Sequence, residues 1–316
     1  MNFREICSIV PKDDEFYSEE LTQVAVSSML EAHPIFSQLE FYTIVGNAEN
    51  RRKQSTATGG VFRTEGSDYT AAPTVPVYVT PTLKVFGDRL RVDQAYARRG
   101  LDIPSLIVRD TEQLARNIAY AFVDNLINAD GTGNKFAGIR TLTVASQTVN
   151  QGANGAVLPN GNSDSNRAAQ QAFFETLDRA IALTRPGKRF LIVPDQLLSR
   201  MTNVYREAFT YTDNMQLVGQ RILTYMGIPV ISAGYNEAGN PIMPFNETLG
   251  TSTNCSSIYV VSVAEGYNYS IASNSGFSVS VNKAGVLHEI ILEGDFAPTL
   301  HDDKSIARFN GIRLST

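Results

Sequence analysis

The sequence predicts an α+β fold, and three observations carry that prediction. Residues 102–142 read as one long, apolar-striped helix that runs into a Gly-rich turn. Residues 46–92 are rich in Thr, Val, Gly and Pro and read as an extended excursion. Beyond residue 168 helical patterns alternate with short apolar strands, and the tail from 256 is strand-rich.

The elements follow in order. Residues 1–15 are polar and read as irregular. Residues 18–32 read as a helix, with Ser18 as N-cap and Glu19 and Glu20 in the first turn, where the helix dipole favours them. Leu21, Val24 with Ala25, Ser28 and Ala32 approximate its inner face, and His33-Pro34 ends it. Ile35 to Val45 is apolar and reads as extended. Within 46–92, Pro73, Pro76 and Pro81 exclude a helix and any central strand. Thr74–Leu83 has strand character, Thr56–Thr64 is its expected partner, and Glu65-Gly66-Ser67-Asp68 the expected turn. Such a two-stranded arm has little core of its own and is marginal in water unless another subunit supports it.

The long helix has two candidate starts. Pro104 suits a first-turn position, because its missing N–H would be unpaired there. Asp110 with Gln113 is the alternative cap. Leu114, Ile118, Phe122 and Leu126, widened by Ala115 and Ala119, form the apolar stripe. From Pro104 to Asn128 the helix is roughly 36 Å long, and Gly131 and Gly133 are expected to end it. Residues 146–167 read as a polar connector. Residues 168–184 read as a helix with Phe173 or Phe174, Leu177, Ala180 or Ile181 and Thr184 inside. Residues 189–195 read as a buried strand, QLLSRMTNVYREAF as a second helix, and IPVIS as a strand after Gly227. Residues 256–272 read as a strand pair around Ala264-Glu265-Gly266-Tyr267. The tail is strand-rich, with turns at Lys283-Ala284-Gly285 and near Pro298.

Composition bounds the function. The 316 residues are 43% hydrophobic and 19% charged, ample for one large or two ordinary domains. The formal net charge of −5 argues against wrapping of nucleic acid by the whole surface. Cys7 and Cys255 form no metal or redox motif, which fits a reducing compartment. The N-terminus carries charges where a signal peptide needs an apolar core, and no run of about 18 apolar residues spans a bilayer. Synthesis in the cytoplasm and no membrane partner are the expectations.

Catalytic readings are weak. The Gly-rich ADGTGNK turn (129–135) follows its helix, whereas a phosphate loop precedes one and needs Gly-Lys-Ser/Thr. An EF-hand counted from Asn128 would place Ile139 where a bidentate Glu belongs. His301, Asp302 and Asp303, with Glu293 and Asp295, are the densest acidic group; a solvated turn or an intersubunit ion-pair site is preferred to metal ligation. His288 reads as a packed strand histidine. No nucleophile elbow is present. No catalytic, metal or cofactor residue is expected.

The order of parts resembles the tailed-phage major capsid protein family, the Hong Kong 97-type fold. Three segments carry the resemblance: DIPSL (102–106) leading through the long helix to NADGTGNKFAGI (128–139), YMGIPVIS (225–232), and the terminal IARFNGI (306–312). It implies an N-terminal arm (1–47), an extended β-hairpin loop (48–92), a peripheral domain on a spine helix (93–145 and 273–316) and an α/β axial domain (146–272). It further implies a non-enzymatic, self-assembling subunit of an icosahedral virion shell. That shell, built from hexamers and pentamers in the host cytoplasm, encloses double-stranded DNA without sequence specificity. The chain leaves no room for an N-terminal scaffolding segment, so either a separate scaffolding protein or none is expected; a portal is the other expected partner, with decoration proteins as an option. Neither Lys53 nor Lys84 matches the family's crosslinking lysine. The expected assembly contacts are Arg51, Arg52, Glu65 and Asp68 in the loop, and Arg98 and Arg99 before the spine. An encapsulin-type compartment holding enzyme cargo is the alternative. A hydrolase or ligand-binding protein using 168–234 is more remote.

Overall fold

A computed structural model describes residues 1–9, 18–53, 62–69, 77–100, 102–161, 163–204, 209–213 and 221–314. The N-terminal fifth contains helices α1 (Phe3–Cys7) and α2 (Glu19–Ala32) and strand β1 (Phe41–Thr43). The loop contributes β2 (Arg51–Arg52) and β3 (Tyr78–Val79). Then follow β4 (Lys84–Asp93), α3 (Ala95–Arg98), the long helix α4 (Ile103–Asn128) and α5 (Ile139–Leu142). The middle of the chain forms β5 (Thr148–Asn150), β6 (Ala156–Val157), α6 (Asp164–Leu183), β7 (Lys188–Val193), α7 (Asp195–Val204), β8 (Phe209–Asp213), β9 (Arg221–Tyr225) and β10 (Ile228–Ser232). The remainder is all strand: β11 (Glu247–Leu249), β12 (Ser252–Val263), β13 (Tyr269–Ala284), β14 (Leu287–Leu300) and β15 (Ile306–Arg313).

One 13-stranded sheet organises these parts, in the order β4-β14-β13-β12-β7-β10-β9-β8, with β1, β5, β6, β11 and β15 paired off that path. It has two cores. On one side α2 and α4 pack over β13 and β14; on the other α6 and α7 cover β7, β12 and β15.

Helix α4 forms for the reasons its sequence offers. Asp102 caps it by accepting from the Ser105 N–H (3.2 Å), and Pro104 sits in the first turn. Asp110 therefore lies inside the helix and is not its cap. The whole predicted stripe is buried, and Phe122 is its centre: its ring lies 5.1–5.9 Å from those of Phe36, Phe86, Phe136, Phe277 and Phe296. The helix stop differs from expectation. Ala129 turns extended (φ −61°, ψ 138°), and the next segment returns so that the Gly138 N–H donates to the Ala129 carbonyl (2.8 Å). A Cβ on Gly138 would lie 2.8–2.9 Å from the backbone of Ala129, Asn125 and Ile127. Gly138 closes the helix end; Gly131 and Gly133, at positive φ, shape only the turn beyond it.

Other expectations are corrected by packing. Residues 1–9 are not irregular: Asn2 and Glu5 form a capping box, and Phe3 and Ile6 are fully buried. Helix α2 starts at its predicted cap and buries Ala25 and Ser28 as predicted, but its inner face is completed by Thr22, Val26, Met29 and Leu30 rather than by Leu21, Val24 and Ala32. Thr22 is inside because its hydroxyl accepts the Val279 N–H (2.9 Å), a bond that no hydrophobicity pattern anticipates. Pro34–Ser37 forms a 3-10 turn before β1 rather than extended chain. The 146–167 connector supplies β5 and β6, which pair parallel with β15, and α6 begins at Asp164, capped by Ser163. Strand β9, a hairpin partner of β10, was also unforeseen.

The C-terminal strands pair differently too. β12 and β13 share one bridge, Val263 with Tyr269, while β13 pairs along its length with β14. No turn occurs at Pro298, which lies within β14 opposite Ile271. The Ile271 N–H points away, to Glu40 of the segment leading into β1, so Pro298 presents its ring nitrogen to the opposite side, beyond the end of β4 at Phe296. The missing donor costs no ladder bond there.

Candidate assembly surfaces

The loop is rooted by contacts that its sequence dictates only in part. The Ala48–Thr82 bridge and the β2–β3 ladder, Arg51 with Val79 and Arg52 with Tyr78, make a narrow ribbon. The expected partner segment 56–64 falls largely outside the described residues; the described pairing is made by 51–53 with 77–79. Below the ribbon, Leu83 joins Tyr42, Ile44, Ala272 and Ala297 in a small separate core. The Arg51 guanidinium lies 4.3 Å above the Tyr42 ring and 3.4 Å from Glu49. Lys53 Nζ reaches Asp303 at 2.5 Å. The same Tyr42 ring meets the His301 ring at 5.6 Å. Burial and the nearby Arg51 charge hold His301 down to about 4, so it is neutral.

The six expected contact residues therefore differ. Arg51 is engaged within its own subunit. Arg52, Glu65, Asp68, Arg98 and Arg99 are exposed, and none has an ion-pair partner among the described residues. Asp68 accepts the Tyr69 N–H (2.8 Å) at the loop tip, where the turn closes over Thr64–Ser67, one residue before the predicted 65–68. Arg99 lies 5.8 Å over the Tyr96 ring. Phe62, which the sequence reading passed over, projects fully exposed beside that tip.

The acidic group does not converge. Asp302 is buried and pairs with Arg185 (2.6 Å), Asp303 pairs with Lys53, and Glu293 and Asp295 stay on β14. These are ion pairs within the chain rather than a solvated turn. Burial pushes the Asp295 carboxyl up. His288 is a half-buried strand residue opposite Val92 and Lys283. Among the described residues no group of His, Cys, Asp and Glu is arranged to hold a metal ion, and no helix is long and apolar enough to cross a membrane.

Sequence reasoning missed the most concentrated polar site. Glu247, on β11, is 7% exposed; it accepts from Arg140 of α5, from Arg308 of β15 (2.9 Å) and from the Ser257 hydroxyl. Arg140 also donates to the Tyr259 hydroxyl (3.3 Å), whose pKa burial raises. The four ionic and polar groups come from segments up to 168 residues apart, so no local signal marked them. The network ties the segment just beyond the spine to the middle of the sheet. A second buried joint is His33: its Nδ1 accepts the Ile35 N–H (3.2 Å) and its Nε2 meets the Ala233 carbonyl (3.4 Å). Burial lowers its pKa to about 4.

No protein-family model matches the chain, and no curated protein matches it. Solved structures do. The chain is similar to the holo-SrpI encapsulin complex from Synechococcus elongatus PCC 7942 (TM-score 0.59, 12% identity, covering 89% of this chain and 88% of that one). It is similar to the capsid of a native GTA particle (TM-score 0.57, 17% identity, 96% of each chain). A chain of Mycobacterium phage Bobi matches at TM-score 0.54 and 12% identity, over 91% of each.

Proposed function

We propose that this chain, which has the Hong Kong 97-type capsid fold, is a self-assembling shell subunit, the major capsid protein of a tailed double-stranded DNA virus. The observation that carries the reading is the loop. A ribbon whose two arms are joined to each other by a two-residue ladder exposes Phe62, Tyr69, Val77 and Tyr78. Apolar surface in water is unfavourable by about 25 cal/mol per Å², so such an arm gains its stability by lying on a neighbour. Residues 1–47 serve as the N-terminal arm, 48–92 as the extended loop, 93–145 with 273–316 as the peripheral domain, and 146–272 as the axial domain. The single sheet runs through the last two, and the Glu247 network braces their junction. The role is mechanical and uses no catalytic group, cofactor or metal. Subunits gather into hexamers and pentamers, with a separate scaffolding protein and a portal as partners. An acidic chain of net charge −5 confines DNA without gripping it. The particle forms in the host cytoplasm.

Electron microscopy of the expressed protein tests the reading: hollow particles or hexameric and pentameric rings are expected. Monomer alone at high concentration, with its scaffolding partner supplied, refutes it. The similarity to an encapsulin supports a second reading, a compartment around enzyme cargo. The contents of native particles decide: genomic DNA favours the virus, a packaged enzyme the compartment.

A further inference from the structure

The root of the loop sits over a buried histidine. The root is residues 47–53 with 77–83: the Leu83 N–H donates to the Asn47 carbonyl (2.9 Å) and the Lys53 N–H to the Val77 carbonyl (2.7 Å). Its side chains reach the body through Leu83 in the small core, Arg51 above the Tyr42 ring and Lys53 on Asp303. The last two contacts bracket His301. The Tyr42 ring lies against it at 5.6 Å, and Asp303 is two residues beyond it in the chain.

His301 is fully buried and has one orphan nitrogen. Its backbone N–H donates to the Asn268 carbonyl (3.2 Å) and its Nε2 meets the Ser270 hydroxyl (3.1 Å), but its Nδ1 has no partner. The Arg51 Nε is likewise buried and unpartnered. A neutral imidazole can leave one ring nitrogen as an unbonded lone pair. A protonated ring carries an N–H on both nitrogens, and here the second meets no acceptor. The surrounding groups give no relief. Tyr42 from β1 is a phenol whose ionisation burial makes harder, and Ser270 from β13 is uncharged. Asp302 pairs with Arg185 and Asp303 with Lys53, so both carboxylates of the histidine's own turn are engaged. Arg51, 3.4 Å from Glu49, adds a like charge that acts on the ring. Tyr42 and Ser270 are held in the main sheet, whereas Arg51 and Lys53 belong to a ribbon with a two-residue ladder. The root is the part of the cover that yields.

We infer that His301 is a proton-operated latch for the loop root: a second ring proton expels the Arg51 guanidinium from the Tyr42 ring, opens residues 49–53 and lets water reach the imidazolium. The inference rests on contacts within one chain and not on the shell reading. It gives the root a direction of control, closed at neutral pH and open in mild acid.

The size of the effect follows from linkage. With the ring held to about 4 when closed and at 6.5 when open, the opening equilibrium rises roughly thirtyfold from about pH 7.5 to about pH 5. Hydrogen exchange of dissociated full-length subunits, read by mass spectrometry and corrected for intrinsic exchange, tests it. Peptides over 47–53 and 77–83 are expected to lose protection by that factor, while Ser252–Val263 and Ile306–Arg313 keep theirs. His301→Gln stays neutral and is expected to hold the change below about twofold. Asp303→Asn breaks the Lys53 pair; it is expected to loosen the root equally at both pH values and to leave the thirtyfold increment, and it carries the test if His301→Gln does not fold. A root equally protected at both pH values overturns the latch. So does exchange that rises together in the root and both strands, because that is global unfolding. A response that persists in His301→Gln, or vanishes in Asp303→Asn, assigns the proton to a carboxylate and overturns it as well.

Discussion

Replacing Glu247 with Gln removes one charge and keeps the shape. In the native chain that carboxylate, 7% exposed, satisfies two guanidinium groups and the Ser257 hydroxyl. Hydrogen bonds to charged groups are worth about 1.5–3 kcal/mol each, and removing one partner of a buried ion pair costs about 3–5 kcal/mol, because the other charge is left uncompensated. The Arg140 and Arg308 side chains are 35% and 23% exposed, so water recovers part of that loss. The expected destabilisation is therefore about 3 kcal/mol, the low end of the range. Equilibrium urea unfolding of dissociated subunits, followed by far-ultraviolet circular dichroism, measures it as a lower midpoint at unchanged slope. Replacing all three charges together, Glu247→Leu with Arg140→Met and Arg308→Leu, is expected to recover most of the stability, since no orphan charge remains. A loss below about 1 kcal/mol for Glu247→Gln refutes the claim that this network braces the fold.

Three further outcomes follow from single sites. His33 and His301 are neutral in the fold, held to about 4 against the ordinary 6.5, so the unfolded chain binds protons first as pH falls. Stability is intact above 6.5 and is lost between 6.5 and 4, at up to about 1.4 kcal/mol per pH unit for each histidine, and His33→Gln halves that slope in urea titrations across the window. Gly138→Ala pushes a methyl into three backbone atoms at 2.8–2.9 Å, and a loss of about 1–3 kcal/mol in the same unfolding assay is expected. Cys7, its thiol pushed up to about 12 by burial, and Cys255, buried and likewise raised, should resist thiol reagents until the chain unfolds; rapid labelling of folded protein contradicts this.

Much of the fold was legible along the chain. The Asp102 cap, Pro104 and the 114–126 stripe specify α4 through interactions within four residues of one another, which is the range a sequence pattern reads. Ser18, Leu177 and the strand read at 189–195, which forms at Lys188–Val193, were legible for the same reason. The short strands β5 and β6 were not, because a two- or three-residue edge strand is held by backbone bonds to β15 and carries no side-chain period of its own. Thr22 looked like a surface residue until its distant partner, Val279, was in place. Of the candidate contacts, Arg51 is legible in the sequence only as a loop charge expected to meet a neighbouring subunit; its meeting with Tyr42 depends on the loop ribbon folding over β1.

By itself the sequence determined the elements whose stabilising partners are near neighbours: the spine helix, the tight turn around Glu65-Gly66, and the pattern of alternating helices and strands. The tertiary structure alone decided what lies between elements far apart in the chain. It joined Arg140, Glu247 and Arg308 into one buried charge network, dispersed the acidic group at 301–303 into separate ion pairs, and left a cleft beside the spine. The physical reason is that desolvation and charge pairing depend on through-space distances of a few ångström, which chain order fixes only within a helix turn or a tight hairpin.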